Sequence, residues 1–165
     1  MELSVRERDV RKGLLSAFIR FLEARLGYTF EIEKEFEKRF RLQKYVFLAR
    51  FFGLDLGYNY GLHIRGPYSK ELADDYYELN NMRVIPEAEL PRSFDKDRFA
   101  AFLSGRDDEW LETAATLLSV WETNKGVEGY DLSKLIDHVS RLKPHISKSR
   151  IEAVADELRK LKLLG

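Results

Sequence analysis

The sequence predicts a mainly α-helical protein, on three observations. Apolar residues near the N-terminus recur at the spacing of one helix face, at Leu15, Phe18, Ile19, Leu22 and Leu26. A later segment, residues 45–52, is apolar on nearly every side, which a helix tolerates only when protein surrounds it. Residues that favour helix N-caps precede the apolar segments. We therefore predict a helical bundle that forms a single domain over residues 1–165, with segment 45–52 at its core.

Two long helices are predicted in the N-terminal part of the chain. The first begins at Ser4, a suitable N-cap with Glu7 three residues later as a capping box, and ends at Leu26. The second extends from about residue 33 to Phe52 and contains the apolar core segment. Its start is open to two interpretations, because residues 28–36 alternate like a strand but lead into a helical pattern.

The middle of the chain begins with a glycine-containing aromatic stretch, which predicts a short β or extended segment near residues 57–64. Ser69 is a good N-cap for a third helix, which is expected to end at Asn80–Asn81. After a loop with two prolines, a short fourth helix is predicted from about residue 95 until Gly105 stops it.

Helices also dominate the predicted C-terminal region. The acidic residues 107–109 fit the first turn of a fifth, amphipathic helix, where the helix dipole favours negative charge. Residues 131–165 predict a helical hairpin whose helices are capped by Asp131 and by Ser147 or Ser149. This layout is that of a helix-turn-helix, so the segment is a possible helix-turn-helix subdomain.

Composition limits the class of protein. Hydrophobic residues make up 44% of the 165 residues and charged residues 34%, which excludes a disordered chain. No apolar run approaches the roughly 20 residues of a membrane span, and the charged N-terminus lacks the apolar core of a signal peptide. We expect a cytoplasmic protein that does not bind membranes. The many charged residues and few Asn and Gln residues favour a thermophilic source.

The sequence contains no motif that indicates catalysis. The absence of Cys excludes disulfides, thiolate nucleophiles and Cys-ligated zinc. The three histidines, His63, His138 and His145, lack the spacing of a helical metal site. Neither a nucleophile elbow nor a phosphate-binding loop is present. We predict no catalytic residue, no metal site and no cofactor.

One candidate site lies just before the third helix and consists of His63, Arg65, Gly66, Pro67, Tyr68 and Ser69. The free N–H groups of a helix N-terminus, together with Arg, His and hydroxyl groups, suit a phosphate or a partner's carboxylate. The alternative is structural: Gly66–Pro67 forms a tight turn, Ser69 only caps its helix, and Tyr68 packs in the core. The first interpretation predicts a partner-binding or anion-binding site.

A second candidate site lies at the start of the last helix and consists of Ser147, Lys148, Ser149 and Arg150. In a helix-turn-helix, such residues contact phosphates and bases, so nucleic-acid binding is the alternative function. Glu152, Asp156 and Glu157 on the same helix oppose this interpretation, because they would repel a phosphate backbone.

Residues from two parts of the chain resemble a known family: Leu42, Gln43, Lys44, Tyr45, Gly66, Pro67, Tyr68, Ser69 and Leu72. The pattern of an L-Q-K helix followed by a G-P-Y-S turn is similar to the YwgA-like group of archaeal and bacterial proteins. It is distantly similar to the Panacea antitoxin domain and its proteolysis-adaptor relative. The resemblance implies a small helical protein that binds, neutralises or delivers another protein without enzyme chemistry.

Three functional hypotheses follow, in descending order. The first is a non-enzymatic interaction or regulatory protein, antitoxin-like or adaptor-like, whose surface at residues 58–77 contacts a protein partner. The second is a nucleic-acid-binding regulator that uses the C-terminal hairpin. The third is an enzyme that acts on an anionic substrate with His63, Arg65 and an acidic residue.

Overall fold

A computed structural model describes residues 3–165, and most of them are helical. Within this range the α-helices are α1 Val5–Leu26, α2 Phe36–Ala49, α3 Lys70–Asn81, α4 Lys96–Leu103, α5 Asp108–Asn124, α6 Leu132–Leu142 and α7 Lys148–Lys160. A 3-10 turn, Arg50–Phe52, continues α2. Strands β1 Gly61–His63 and β2 Gly66–Tyr68 form an antiparallel hairpin. The predicted mainly α fold, with a short β segment and a C-terminal helical hairpin, is confirmed.

Side-chain caps fix where the helices begin. Ser4, Ser69, Asp95 and Asp131 each accept a hydrogen bond from the backbone N–H three residues later, as their sequence positions predict. For α7 the cap is Ser147, which accepts from the N–H of Arg150. These ends are set by neighbouring residues, which is why the sequence locates them well.

The start of α2 is later than predicted, at Phe36. Residues 27–35 form neither helix nor strand. Ile32 is fully buried, and its carbonyl accepts a hydrogen bond from Arg39. The hydroxyl of Tyr28 donates to the carbonyl of Lys38 at 2.8 Å. These contacts fold the segment back along the first turns of α2, so neither the strand nor the helix interpretation of this segment is correct.

The chain divides into two compact units. The first unit comprises the residues up to Tyr60 together with Ser69–Gly105, and the second comprises Gly61–Tyr68 and Arg106–Gly165. The possible helix-turn-helix subdomain, 131–165, lies within the second unit. A single domain over residues 1–165 stays a prediction.

The core of the first unit is built around α2. Eight consecutive residues, 42–49, are buried, including Gln43 and Lys44. This confirms the central helix that the apolar segment predicts. A second buried group in this unit is formed by four phenylalanine rings, those of Phe18, Phe21, Phe94 and Phe99. Their ring centroids lie 5.2 to 6.1 Å apart. Here α1 and α4 contact each other.

The second unit is built around α5, which packs against β2, α6 and α7. Its core consists of apolar residues from all three helices, including Leu111, Leu118, Leu135, Val139, Ile151, Val154 and Leu158. The packing of β2 on α5 brings the hairpin turn close to the second turn of that helix. In residues 3–165, no helix is both long enough and apolar enough to cross a membrane.

Candidate functional site

The most unusual group in the second unit is the carboxylate of Glu112, which is buried with 3% of its side chain exposed. Three basic side chains surround it. Arg65 Nε lies 3.2 Å from Oε1, while His145 Nε2 lies 2.8 Å and Lys143 Nζ 3.5 Å from Oε2. We call these four residues the Glu112 cluster. A buried carboxylate needs such partners, because leaving it unpaired would cost several kcal/mol.

Three separate elements supply the cluster. Glu112 lies in the second turn of α5, whose first turn is fixed by the Asp107 cap. Arg65 is the second residue of the two-residue hairpin turn between β1 and β2. Lys143 is the C-cap of α6, and His145 follows it in the loop to α7. Because the buried side chain of Ile146 anchors this loop, His145 is held beside α5.

Lys143 connects the carboxylate to the hairpin. Its ammonium group donates hydrogen bonds to the backbone carbonyls of His63, at 3.2 Å, and of Ile64. Burial lowers the pKa of Lys143; the Glu112 charge opposes this effect, and Arg65 adds to it. The ammonium group therefore lies between Glu112 and the hairpin turn, and holds the backbone of that turn in place.

Arg65 and His145 differ from Lys143 in their exposure. Of their side chains, 43% and 51% respectively are exposed, while that of Lys143 is 2% exposed. The distance of 2.8 Å between His145 Nε2 and Glu112 Oε2 suits a hydrogen bond in which Nε2–H donates to the carboxylate. The cluster thus has a buried interior, Glu112 and Lys143, and a basic exterior, Arg65 and His145, that solvent reaches.

Two chemical roles suit this geometry. The half-exposed guanidinium of Arg65 suits an anionic group such as a carboxylate, and a protonated His145 beside it would supply a second N–H donor. A histidine oriented by a carboxylate also suits general acid–base chemistry. Here the same carboxylate oxygen also faces Lys143, which gives Glu112 a second role in holding the hairpin.

The structure places most of the first predicted site in the hairpin. The imidazole of His63 on β1 lies edge-on against Tyr68 on β2, with ring centroids 5.1 Å apart. Gly66 begins β2 at φ 100°, a conformation that favours glycine, and Pro67 is buried. The side chain of Arg65 pairs with Glu112. The structural alternative placed the tight turn at Gly66–Pro67, and this position is wrong: Ile64 and Arg65 form the turn, while Gly66 and Pro67 begin β2 and pair with β1.

Ser69 belongs to the first unit and has a structural role there. Its hydroxyl accepts the hydrogen bond from Leu72 N–H that caps α3. Its backbone N–H donates to Gln43 Oε1, and its carbonyl accepts from Gln43 Nε2, both at 2.8 Å. Gln43 and Ser69 are each only 1% exposed. Two of the residues on which the family resemblance rests therefore contact each other.

The residues of the second predicted site lie at the start of α7. Ser147 caps the helix and lies 3.3 Å from the hydroxyl of Ser149. Lys148 pairs with Asp137 at 3.0 Å, and Arg150 pairs with Asp107 at 3.1 Å. Both cations thus face carboxylates of the same unit. A nucleic acid would have to displace these ion pairs, and nucleic-acid binding stays a prediction.

Sequence patterns missed three members of the Glu112 cluster: Glu112, Lys143 and His145. A signal existed for Glu112, the single charged residue in the apolar segment 110–121. No comparable signal existed for Lys143, which follows a helix end where exposed lysines are common. The described part of the chain contains no group of three or more His, Cys, Asp or Glu residues that could hold a metal ion.

Comparison with protein-family models, curated proteins and solved structures finds no match. The resemblance to the YwgA-like group and the Panacea domain therefore stays a prediction. A functional proposal must rest on the geometry of the chain itself.

Proposed function

We propose that this protein is a non-enzymatic cytoplasmic interaction module, antitoxin-like or adaptor-like, that binds a protein partner through the end of its β hairpin. The observation that supports the proposal most strongly is Ile64. It lies in the hairpin turn, and 87% of its surface is exposed. Together with the exposed Leu62 on β1, it places apolar surface at the end of the hairpin, and neighbouring exposed apolar side chains often mark an interaction site.

The hairpin turn is held before any partner binds. The ammonium group of Lys143 donates hydrogen bonds to two consecutive backbone carbonyls, those of His63 and Ile64. Glu112 binds the side chain of Arg65, the next residue. A turn that is already ordered loses less conformational entropy on binding, so more of the contact energy appears as affinity.

The surroundings of Ile64 also favour a protein interface. Leu62 on β1 is 44% exposed, and the half-exposed side chain of Arg65 follows Ile64 directly. An apolar centre with a polar and aromatic surround is the usual composition of an interface. The surface predicted from the sequence, residues 58–77, includes all of these residues.

Site-specific photo-crosslinking tests the proposal. Benzoylphenylalanine replaces Ile64 in the full-length chain, and in a matched control it replaces Val84, which is 83% exposed and lies in the first unit. After irradiation in a lysate of the source organism, we expect a discrete crosslinked protein from position 64 only. An excess of wild-type protein should suppress the crosslink, whereas an excess of Ile64→Asp should not.

The same experiment defines failure. Identical crosslinking patterns at positions 64 and 84, or no crosslink at 64, would show that the hairpin end contacts no specific protein. A crosslink at position 64 that Ile64→Asp suppresses as well as wild type would exclude Ile64 as an anchor of binding.

A further inference from the structure

The outer edge of β1 is exposed. Within residues 3–165 the sheet consists of β1 and β2. One edge of β2 pairs with β1, and β2 packs against α5. Gly61, Leu62 and His63 of β1 are all exposed. An exposed edge strand presents backbone N–H and C=O groups that a further strand can use.

The register shows which backbone groups point outward. A two-residue turn closes on the pair His63 and Gly66, so these residues exchange hydrogen bonds with each other. The next pair, Leu62 and Pro67, is then a non-hydrogen-bonded pair. Pro67 agrees with this assignment, because proline has no N–H to donate. The N–H and C=O of Leu62 therefore point away from β2.

The charge beside this edge indicates what type of strand fits. In the Glu112 cluster, the basic side chains of Arg65, Lys143 and His145 all lie within 3.5 Å of the buried carboxylate of Glu112. Arg65 and His145 are the two that reach the surface. A segment with carboxylate side chains would be complementary to them.

From these observations we infer that the open edge of β1 binds an extended acidic segment of a protein partner, which adds as a third strand. The inference rests on the proposed function and specifies its partner. The N–H and C=O of Leu62 supply two backbone hydrogen bonds, and Arg65 and His145 contact carboxylates of the segment. Exposed apolar side chains of Leu62 and Ile64 contact alternate residues of the added strand.

A defined peptide tests the inference. The probe is a fluorescein-labelled peptide of nine residues in which glutamate and valine alternate, and its binding to the full-length protein is measured by fluorescence anisotropy. One control peptide has lysine in place of every glutamate. A second control keeps the glutamates but has an N-methyl group on every backbone amide, which blocks pairing along both edges of the peptide strand. We expect binding of the first peptide only, weakened by added salt.

Two substitutions at one position separate the backbone from the side chain. Leu62→Pro removes the outward N–H, and the hairpin ladder does not use that group. We expect it to weaken binding of the acidic peptide by about tenfold, whereas Leu62→Ala, which keeps the N–H, weakens it by about threefold or less. The fluorescence of Trp110 and Trp121, both in the second unit, verifies that each variant is folded.

Each outcome decides a different question. No binding of the acidic peptide at about 1 mM protein, equal binding of the N-methylated peptide, or equal effects of Leu62→Pro and Leu62→Ala would overturn strand addition. If the crosslink from position 64 persists in Leu62→Pro, the proposed function stands while this inference fails. A dimer in sedimentation that Leu62→Pro dissociates would assign the edge to a second copy of the chain, which also overturns the inference.

Discussion

Asp75 in the first unit and Glu112 in the second are buried to the same extent, each with 3% of its surface exposed. Their partners differ. Asp75 Oδ2 accepts from Arg11 Nε at 2.8 Å and from the Tyr58 hydroxyl at 2.7 Å, and both partners are themselves buried. The guanidinium of Arg11 also lies 4.6 Å from the centroid of the Tyr58 ring. This closed arrangement of charge, hydroxyl and ring stabilises the first unit.

The protonation of Tyr58 fits this structural role. Burial raises the pKa of Tyr58, and the neighbouring Asp75 charge raises it further. The phenol therefore stays protonated and donates a hydrogen bond to Asp75. Around Glu112, by contrast, two of the three partners are about half exposed. The comparison shows that burial of a carboxylate does not by itself indicate function; the exposure of its partners distinguishes the two sites.

The largest expected effect is that of Asp75→Ala. The substitution leaves the charge of Arg11 and the hydroxyl of Tyr58 buried without their acceptor, so we expect a loss of about 3 to 5 kcal/mol in the free energy of unfolding. Denaturant unfolding followed by circular dichroism measures it. The neighbouring Asp74→Ala, on the exposed face of α3, is the control and should change stability by less than about 0.5 kcal/mol. Equal effects of the two substitutions would contradict a structural role for Asp75.

Removal of the Glu112 carboxylate should lower the free energy of unfolding by less than removal of the Asp75 carboxylate. For Glu112→Ala we expect about 2 kcal/mol, because Arg65 and His145 regain water and only Lys143 remains buried. Tryptophan fluorescence follows this transition, since Trp110 and Trp121 are both in the second unit. The double substitution Glu112→Gln with Lys143→Met should be less destabilising than the sum of its two single substitutions. Simple additivity would exclude an interaction between these side chains.

A smaller expected effect is an increase in the stability of the second unit with pH, caused by Lys143. Burial lowers the pKa of Lys143 in the folded state below its ordinary value of 10.5. At pH values between the folded-state pKa and 10.5, Lys143 is therefore more fully protonated in the unfolded chain than in the folded chain. Stability relative to Lys143→Met should therefore rise with pH in this window, by at most roughly 1.4 kcal/mol per unit, and level off above it.

Urea unfolding of wild type and Lys143→Met at several pH values up to 10.5 measures this difference. Lys134→Met, which removes an exposed lysine of α6, accounts for the general effect of losing one positive charge. A difference that falls with increasing pH would contradict the stated environment of Lys143.

The smallest expected effect concerns a pair of exposed charges. The side chain of Arg150 is 38% exposed and that of Asp107 is 68% exposed, so Arg150→Gln should reduce stability by about 1 kcal/mol or less. Because Arg150 and Lys148 already face carboxylates, we also expect no salt-dependent binding of duplex DNA or RNA in anisotropy measurements from about 50 to 200 mM salt. Binding with a negative salt slope that Arg150→Gln flattens would favour the nucleic-acid alternative.

Much of the fold could be predicted because its determinants are local. The caps at Ser4, Ser69 and Asp131 act on N–H groups three residues away. The burial of residues 42–49 follows from their composition. The start of α2 was missed because it depends on the burial of Ile32, which local propensity does not encode. The division into two units was not foreseen either, since it depends on contacts between distant segments.

The candidate site could be predicted only in part. The sequence predicts Arg65 as part of a candidate site, but it does not predict that Glu112 is its partner. Arg65 and Glu112 are separated by 47 positions, and His145 and Glu112 by 33. Sequence periodicity describes one element at a time. It therefore shows that Glu112 is a charged residue in an apolar segment, but not which distant side chains neutralise its charge.

By itself, the sequence determined most of the helices and their caps, because these depend on steric and hydrogen-bonding preferences within a few residues. Only the tertiary structure decided which of two equally buried carboxylates is enclosed and which has partners at the surface. A buried charge is stabilised by the groups that tertiary packing brings next to it, and these groups come from distant parts of the sequence.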